Sequence, residues 1–279
     1  MQNDQRQTSA GECRILVGTS GYAYTEWADA GFYPPGTRSG WMLPFYARHF
    51  CIVELNYTWY QMPKAEAVER QRRQVPPGFQ FAAKLTRTLT HEIDPQAWPG
   101  QAAEFRDGIA PLMQESQLAA VLIQFPPGFT RSVVNRRHLA ALLDAMTGLP
   151  LAVEFRHRSW ATDRVFEELE RRRVTLVTVD EPDLPGLFPA LDVVTNPDLF
   201  YIRFHGRNTR GWRSGNMQQQ FDYSYTDDEL QEWIAGKIEP MCVRARQGIL
   251  FFNNHVRAQA TANARQLILL LKQRGLTAG

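Results

Sequence analysis

Eight short segments rich in β-branched and aromatic residues recur along the chain, and segments of helical periodicity separate them. The strand-like segments are Arg14–Gly18, Ile52–Asn56, Phe79–Lys84, Ala119–Phe125, Leu151–Arg156, Val174–Asp180, Leu199–His205 and Gly248–Asn254. Strands that alternate with helices form parallel sheets, and eight such repeats close a barrel. The pattern therefore predicts an α/β protein built as a single (β/α)8 TIM barrel.

The intervening segments carry an apolar stripe at helical spacing and recognisable helix ends. Asn135–Met146 and Asp163–Arg173 each place their large apolar residues on one face. Thr226, with Glu229 three residues later, predicts a capping box at the start of a helix, and Gly275 suits the end of the last one. These elements fit the outer ring of helices around a TIM barrel.

No Gly- or Ser-rich linker divides the 279 residues, so we predict one barrel domain over residues 13–279 after a disordered tail over residues 1–12. Two connections are longer than a barrel needs: Thr19 to about Ser39 after the first strand, and Gly206 to Tyr225 after the seventh. Unstructured loops of this length are usually binding loops or lids. We expect both loops to shape a site at the barrel mouth.

Composition excludes several classes of protein without selecting a function. Hydrophobic residues make up 44% and charged residues 22%, and the formal net charge of +2 does not require a nucleic-acid partner. Cys13, Cys51 and Cys242 show neither metal-ligand spacing nor the pattern of a disulfide framework. Because we find no signal peptide and no membrane-spanning run, the sequence predicts a cytoplasmic protein without a membrane partner. It leaves the oligomeric state open.

Side-chain alternation along each strand identifies the residues that face the barrel axis. In the fifth strand the apolar residues suit the helix-facing side, which sends Glu154 and Arg156 inward. In the seventh strand the same reasoning sends Tyr201, Arg203 and His205 inward. The other strands add inward polar residues, namely Glu54, Asn56, Lys84, Gln124, Asp180 and either Asn253 or Asn254. Because barrel active sites lie at C-terminal strand ends, these residues define the predicted site.

Several of these residues have both a catalytic and a structural interpretation. Glu154 could move a proton, or it could form an internal ion pair with Arg156 or Arg203 that closes the barrel mouth. Lys84 is either a Schiff-base lysine or, as we favour, an anion-binding lysine paired with Glu54. The ordinary pKa of a histidine suits His205 for general acid–base catalysis, and a buried structural histidine is nearly as common.

A divalent metal site needs several converging carboxylate or imidazole ligands. Glu154, Asp180 and His205 lie on three consecutive strands and would be the ligands of such a site. Two inward-facing arginines beside them would repel a cation. The sequence therefore favours neither a metal nor another cofactor.

The loops add aromatic rings and backbone donors around the predicted mouth. Thr19 and Ser20, between Gly18 and Gly21, offer hydroxyls and N–H groups to an anion, which is a weak phosphate signal. Any single ring is more often packed against the barrel rim than free to stack on a sugar or base. The candidate rings are Tyr22, Tyr24, Trp27, Phe32, Tyr33, Trp59, Tyr60, Trp160 and Trp212.

A series of ordered motifs over nearly the whole chain after the tail resembles the YecE family, whose domain has no assigned function. The motifs are Val17–Tyr22, Phe32–Pro34, Val53–Tyr60, Phe79–Lys84 with Thr90 and His91, Gln124–Pro127, Val153–His157 with Trp160, Tyr201–Arg207 and Phe251–His255. The resemblance implies a TIM-type barrel, loosely similar to sugar isomerases and to barrel endonucleases that cut at abasic sites. It leaves the reaction open.

We expect first an enzyme that acts on a small phosphorylated or carboxylated, carbohydrate-like substrate by isomerase or lyase chemistry. Arg156, Arg203 and Lys84 would hold the anion while Glu154 or Glu54 moves a proton, and His205 and Asp180 complete the catalytic set. Further substrate-binding residues in this interpretation are Asn56, Gln124, Asn253, Asn254, Thr19, Ser20, Tyr22, Trp160 and Arg207.

Two other classes of function remain in view. The first is a nuclease or nucleic-acid-binding barrel, in which Arg207, Arg210 and Arg213 contact phosphates while Trp212 or Tyr22 stacks on a base. The second is a non-catalytic sensor of an anionic ligand, which needs the same pocket without proton transfer.

Overall fold

The computed structural model describes residues 13–279 and contains eight parallel strands arranged in a nearly closed barrel, which confirms the predicted fold. The expected tail of residues 1–12 lies outside the described residues. Each strand begins and ends within two residues of its predicted bounds: β1 Arg14–Thr19, β2 Ile52–Leu55, β3 Gln80–Lys84, β4 Leu118–Gln124, β5 Leu151–Glu154, β6 Thr175–Asp180, β7 Phe200–Phe204 and β8 Gln247–Phe252.

Helices surround the strands, and most of them bury apolar residues in the core outside the barrel. Thr226 and Glu229 form the predicted capping box, and Gly275 takes a φ of 75° just beyond the last helix. The helices are α1 Glu26–Asp29, α2 Ser39–Tyr46, α3 Tyr57–Tyr60, α4 Ala65–Arg72, α5 Trp98–Gln114, α6 Val133–Ala145, α7 Asp163–Arg171, α8 Met217–Gln220, α9 Asp227–Trp233, α10 Glu239–Cys242 and α11 Gln259–Gln273, with a π-helical turn at Ile234–Ile238 and 3-10 turns at Arg87–Leu89, Arg158–Trp160 and Val256–Ala258. None of the helices formed by residues 13–279 has the length and apolar character that a bilayer crossing requires.

The regular alternation of strand and helix is interrupted once, after β6. Residues 181–199 connect β6 to β7 without a helix, and they contain Pro182, Pro185, Pro189 and Pro197. Proline lacks the backbone N–H that a helix interior needs, so this spacing prevents a helix. The segment instead runs across the barrel mouth, where Pro185, Gly186 and Leu187 line a cavity.

The barrel closes between β1 and β2 by an indirect contact. The Tyr46 hydroxyl accepts a bond from the Thr19 N–H at 2.9 Å and donates to the Ile52 carbonyl at 3.1 Å, which links the two strands. A Cβ at Gly18 would lie 2.3 Å from the Ile52 carbonyl oxygen, so only glycine permits this approach. Further along, the Gly21 N–H donates to the Glu54 carbonyl at 2.9 Å.

Side chains inside the barrel divide into an apolar lower part and a polar upper part. The lower part is a small core of Leu16, Ile52, Ala82, Ala120, Leu122, Ala152, Val177, Val179, Leu199, Tyr201, Ile249 and Phe251. A larger core packs the outer faces of the strands against the helices. The polar residues that follow the inward positions toward the C-terminal strand ends form the candidate site.

Candidate functional site

Arg203 on β7 is the centre of a buried network that lies directly above the apolar core. Its Nη2 and Nε donate to the two carboxylate oxygens of Glu54 at 2.7 and 2.9 Å, and its Nη1 donates to Glu154 Oε2 at 2.7 Å. Nη2 also reaches Ser20 Oγ at 3.3 Å, while the Tyr201 hydroxyl donates to Glu54. We call Glu54, Glu154, Tyr201 and Arg203 the buried network. Its two carboxylates are fully buried, so Arg203 supplies the charge compensation they need.

Arg156, which follows β5, connects the buried network to the cavity above it. Its Nε is in ion contact with Glu154, its Nη1 donates to Glu181 Oε2 at 2.8 Å, and its Nη2 donates to His205 Nε2 at 3.0 Å. A guanidinium carries five N–H groups, so one on each terminal nitrogen has no protein partner within the described structure. These two N–H groups can donate to a carboxylate or phosphate oxygen.

His205 is held neutral between Arg156 and Asn253. Its Nε2 lies 3.0 Å from Arg156 Nη2 and 3.4 Å from Glu154 Oε1, and its Nδ1 lies 3.1 Å from Asn253 Nδ2. Burial, reinforced by the charge of Arg156, lowers the pKa of His205 to about 3. At neutral pH this histidine therefore positions Arg156 and is a poor general acid.

The carboxylates of the site titrate very differently. Burial works to raise the pKa of Glu154, but the charges of Arg156 and Arg203 outweigh it and hold that pKa well below the usual value. Burial raises the pKa of Glu181 to about 7, because Arg156 offsets only part of the loss of solvent. Glu154 is thus a fixed anion, whereas Glu181 exchanges a proton near neutrality.

A cavity of about 790 Å³ opens above these residues at the C-terminal ends of the strands. Its cationic lining consists of Lys84, Arg156, Arg203 and Arg213, and no carboxylate belongs to the described lining. Amide groups of Asn56, Gln124 and Asn253 add neutral polar atoms. The aromatic walls are Tyr24, Trp59, Tyr60, Trp212 and Phe221. A cavity with cations and rings but no anion on its surface suits a small negatively charged ligand.

Lys84 ends β3 and faces this cavity without a carboxylate partner among the described residues, so the expected ion pair with Glu54 is absent. Its Nζ lies 5.1 Å from the centre of the Trp59 ring. Burial, together with the charge of Arg203, lowers the pKa of Lys84 to about 7. The side chain is only partly buried by surface area. Lys84 belongs to the cavity lining, and a large fraction of its amine is neutral at physiological pH.

His91, which follows the 3-10 turn after β3, is a cavity residue that strand alternation could not identify. Its Nδ1 accepts from Trp59 Nε1 at 3.4 Å and lies 2.8 Å from Thr90 Oγ1. Because an indole only donates, the ring proton resides on Nε2. Burial and the charge of Lys84 lower the pKa of His91 to about 4, so a neutral imidazole with an Nε2–H donor belongs to the cavity lining.

The predicted inward orientation of Asp180 is wrong. Val177 and Val179 occupy the inward positions of β6, and Asp180 lies on the other face, where Arg207 Nε donates to both of its carboxylate oxygens at 3.0 and 3.1 Å. Glu181, the next residue, is the one that contacts Arg156. Val177 to Asp180 alternate between apolar and polar residues, but both faces of β6 are buried and the valines fill the barrel interior, so the polar face points outward.

Arg207 lies beside Asp180 on the outer face of β6 and not in the cavity, where the sequence interpretation had placed it. It binds Asp180 and approaches Glu229 at 3.4 Å, so these carboxylates compensate its charge away from the cavity. Of the three arginines assigned to nucleic-acid phosphates, Arg213 lines the cavity. Its Nη2 donates to the Pro185 carbonyl at 3.1 Å.

Four other predicted binding residues have structural partners outside the cavity. Trp160 stacks between Phe129 and Phe155 in the outer core, and Thr19 bonds the Tyr46 hydroxyl at the barrel seam. Asn254 donates to the Tyr223 carbonyl and to Asn263, which leaves Asn253 as the inward member of that pair. Tyr22 accepts from the Gln71 side chain. Of the candidate rings, Trp27, Phe32 and Tyr33 are likewise buried in the core.

The three residues that would ligate a metal, Glu154, Asp180 and His205, do not converge. Glu154 and His205 face the barrel axis at 3.4 Å from each other, whereas Asp180 lies on the outer face of β6. Within residues 13–279 no group of three or more His, Cys, Asp or Glu side chains has an arrangement that could hold a metal ion.

The fold and site define a TIM-barrel protein with a polar cavity at the C-terminal ends of its strands. A family model described as "Protein of unknown function DUF72" matches residues 16–278, so the chain belongs to the DUF72 family. The UPF0759 protein YunF of Bacillus subtilis (strain 168) is 29% identical over 92% of this chain and 94% of its own length. The UPF0759 protein YecE of Escherichia coli (strain K12) is 30% identical over 64% of each chain. The resemblance to the YecE family is confirmed.

Solved structures agree with this assignment. A DUF72 family protein from Thermotoga maritima MSB8 superposes with a TM-score of 0.83 at 34% identity and covers 93% of this chain and 99% of its own. A DUF72 family protein from Enterococcus faecalis V583 gives a TM-score of 0.83 at 27% identity, over 92% of this chain and 95% of its own. SacUVDE, at 9% identity and a TM-score of 0.55 over 94% of this chain and 99% of its own, is similar in fold alone.

Proposed function

We propose that this protein is an enzyme that binds a small phosphorylated or carboxylated, carbohydrate-like substrate in the barrel-mouth cavity and carries out isomerase- or lyase-type proton transfer. The observation that carries the proposal is the cavity lining, which offers Lys84, Arg156 and Arg213 to a ligand and no carboxylate among its described residues. An anion that enters such a cavity gains charge-assisted hydrogen bonds without meeting a like charge.

The roles of individual residues differ from those expected from the sequence. Arg156 is the main anion ligand in this proposal, because Arg203 already makes three hydrogen bonds within the buried network and a fourth to Ser20. Glu54 and Glu154 are compensated by arginines and buried, so they serve as structural counterions. Proton transfer falls to Lys84 in the cavity lining, whose pKa is about 7, while Glu181, whose pKa is also about 7, lies behind Arg156 and outside that lining.

The aromatic walls support a carbohydrate-like substrate. Trp59, Tyr60 and Trp212 line the cavity around Lys84 and Arg213, and such rings stack on the apolar faces of sugars. The neutral Nε2–H of His91 supplies a donor for a carbonyl or hydroxyl oxygen. A neutral imidazole in this role polarises a carbonyl without losing its proton.

The test is a ligand screen followed by hydrogen exchange in D2O. Inorganic phosphate, sugar phosphates and sugar acids are titrated calorimetrically at low and high salt, and bound compounds are then followed by proton NMR for deuterium uptake next to a carbonyl. We expect saturable binding, loss of deuterium uptake in Lys84→Met, and about tenfold or greater loss of affinity in Arg156→Gln. Arg137→Gln, on the exposed surface of α6, is the matched control.

Each outcome separates the classes of function. Binding without deuterium uptake or turnover would make the protein an anion sensor and reject the enzymatic proposal. Failure of every small anion to bind, together with salt-sensitive binding of DNA or RNA, would favour the nucleic-acid function instead.

A further inference from the structure

Every carboxylate near the amine of Lys84 in the described structure is paired with an arginine. Glu54 is held by Arg203, Glu154 by Arg203 and Arg156, and Glu181 by Arg156. No carboxylate of the described residues lies within ion-pair distance of Lys84. A lysine placed only to fill a barrel mouth would ordinarily be compensated, because burial of an unpaired ammonium is costly.

The surroundings of Lys84 favour the neutral amine. The ring of Trp59 lies 5.1 Å from Nζ and removes water from one side, and the guanidinium groups of Arg203 and Arg156 disfavour a third positive charge. At about pH 7.5 most of an amine with a pKa of about 7 is unprotonated, compared with about one part in a thousand for an ordinary lysine. Desolvation beside other cations is the arrangement that makes a lysine a nucleophile.

We propose that Lys84 captures an aldehyde or ketone substrate as an imine while Arg156 holds the anionic group of the same molecule. The inference rests on the proposed function for the anion and adds the carbonyl group as the feature that defines the substrate class. The free N–H pair of Arg156 and the Lys84 amine both line the cavity, so one bifunctional ligand can reach both.

The covalent step needs no oxidant or reductant. The Nζ lone pair forms a bond to the carbonyl carbon as the carbon–oxygen π bond breaks, and a proton passes from nitrogen to oxygen. The remaining nitrogen proton then passes to the hydroxyl, which leaves as water while nitrogen and carbon form a double bond, and solvent protonates the imine. The resulting cation acidifies the neighbouring C–H, whose proton passes to solvent in an isomerase or lyase reaction.

Pyridoxal phosphate, a phosphorylated aldehyde, is a suitable probe, and the chain has only four lysines: Lys64, Lys84, Lys237 and Lys272. The full-length protein is incubated with the probe at about pH 7.5, reduced with borohydride and mapped by peptide mass spectrometry. We expect saturable labelling of Lys84 at least about tenfold faster than labelling of the exposed Lys272. The labelling rate of Lys84 should rise through pH 7.

Variants separate the imine from the anion site. Lys84→Met keeps the length of the side chain without its amine, should remain folded by thermal unfolding, and should lose the label. Arg156→Gln should raise the half-saturating concentration of pyridoxal phosphate about tenfold while leaving that of pyridoxal, which lacks the phosphate, nearly unchanged.

Each result decides one part of the proposal. Reversible binding of pyridoxal phosphate without label on Lys84 would overturn the imine and leave the anion site intact. Equal labelling of Lys84 by pyridoxal and pyridoxal phosphate would support the nucleophile and reject the anion site of the proposed function. Labelling spread evenly over the four lysines would reject both.

Discussion

The buried network around Arg203 and the cavity around Arg156 lie one above the other in the same barrel and use the same residue types. Arg203, at the centre of the buried network, donates four hydrogen bonds to Glu54, Glu154 and Ser20, and both carboxylates are buried. In the cavity, Arg156 and Lys84 retain polar hydrogens without a protein partner in the described chain. The difference teaches that charge inside a barrel indicates a ligand site only where polar atoms remain uncompensated.

Removal of Arg203 should have the largest effect on stability if the buried network is structural. Arg203→Met would leave Glu54 without a cation and Glu154 with only Arg156, so we expect about 3–5 kcal/mol lower unfolding free energy. The unfolding free energy is measured by urea unfolding. The control Arg213→Ala, on the exposed cavity rim, should change this free energy by less than about 0.5 kcal/mol.

A double-mutant comparison sharpens this result. Glu54→Leu combined with Arg203→Met removes the orphaned charge, so the pair should be more stable than Arg203→Met alone. If Arg203→Met lowered the unfolding free energy by less than about 1 kcal/mol, water would compensate the charges of the buried network, and the contrast between the two regions would disappear.

Glu181 should give a smaller, pH-dependent effect. Its folded pKa of about 7 exceeds the ordinary 4.5, so the native state binds more protons between these values and its stability falls as pH rises from 4.5 to 7. Glu181→Gln removes this dependence. We expect the wild type to lose about 1–3 kcal/mol relative to the variant across that window, measured by urea unfolding at each pH. Glu170→Gln, at an exposed position of α7, should leave the pH profile parallel to that of the wild type.

Asp180 should have the smallest effect, and it tests the assignment of this residue to the outer face. Asp180→Asn retains a hydrogen-bond acceptor for Arg207 but loses the charge, so we expect about 1 kcal/mol lower stability. Anion affinity, measured with the same phosphate or sugar-phosphate titration, should stay within about twofold of the wild-type value. A large loss of affinity with unchanged stability would return Asp180 to the site.

Sequence alternation predicted the orientation of side chains correctly on the strands whose polar face points to the barrel axis. Glu54, Glu154, Arg203 and His205 were all identified by position, because each follows apolar residues that fit only the helix side. On β6 the valines rather than the polar residues face the barrel axis, so Asp180 was chosen where Glu181 is the residue that contacts Arg156. His91 follows a 3-10 turn, where a period of two carries no information.

The sequence by itself determined the barrel, its strand bounds and the set of inward polar residues on most strands, because these depend on local periodicity and on the rule that parallel strand ends meet at one mouth. Only the tertiary structure decided which charges are compensated. That outcome depends on distances between strands far apart in the chain, such as those from Arg203 to Glu54 and to Glu154. The contrast between a closed ion network and an amine open to a ligand is therefore a property of the assembled barrel.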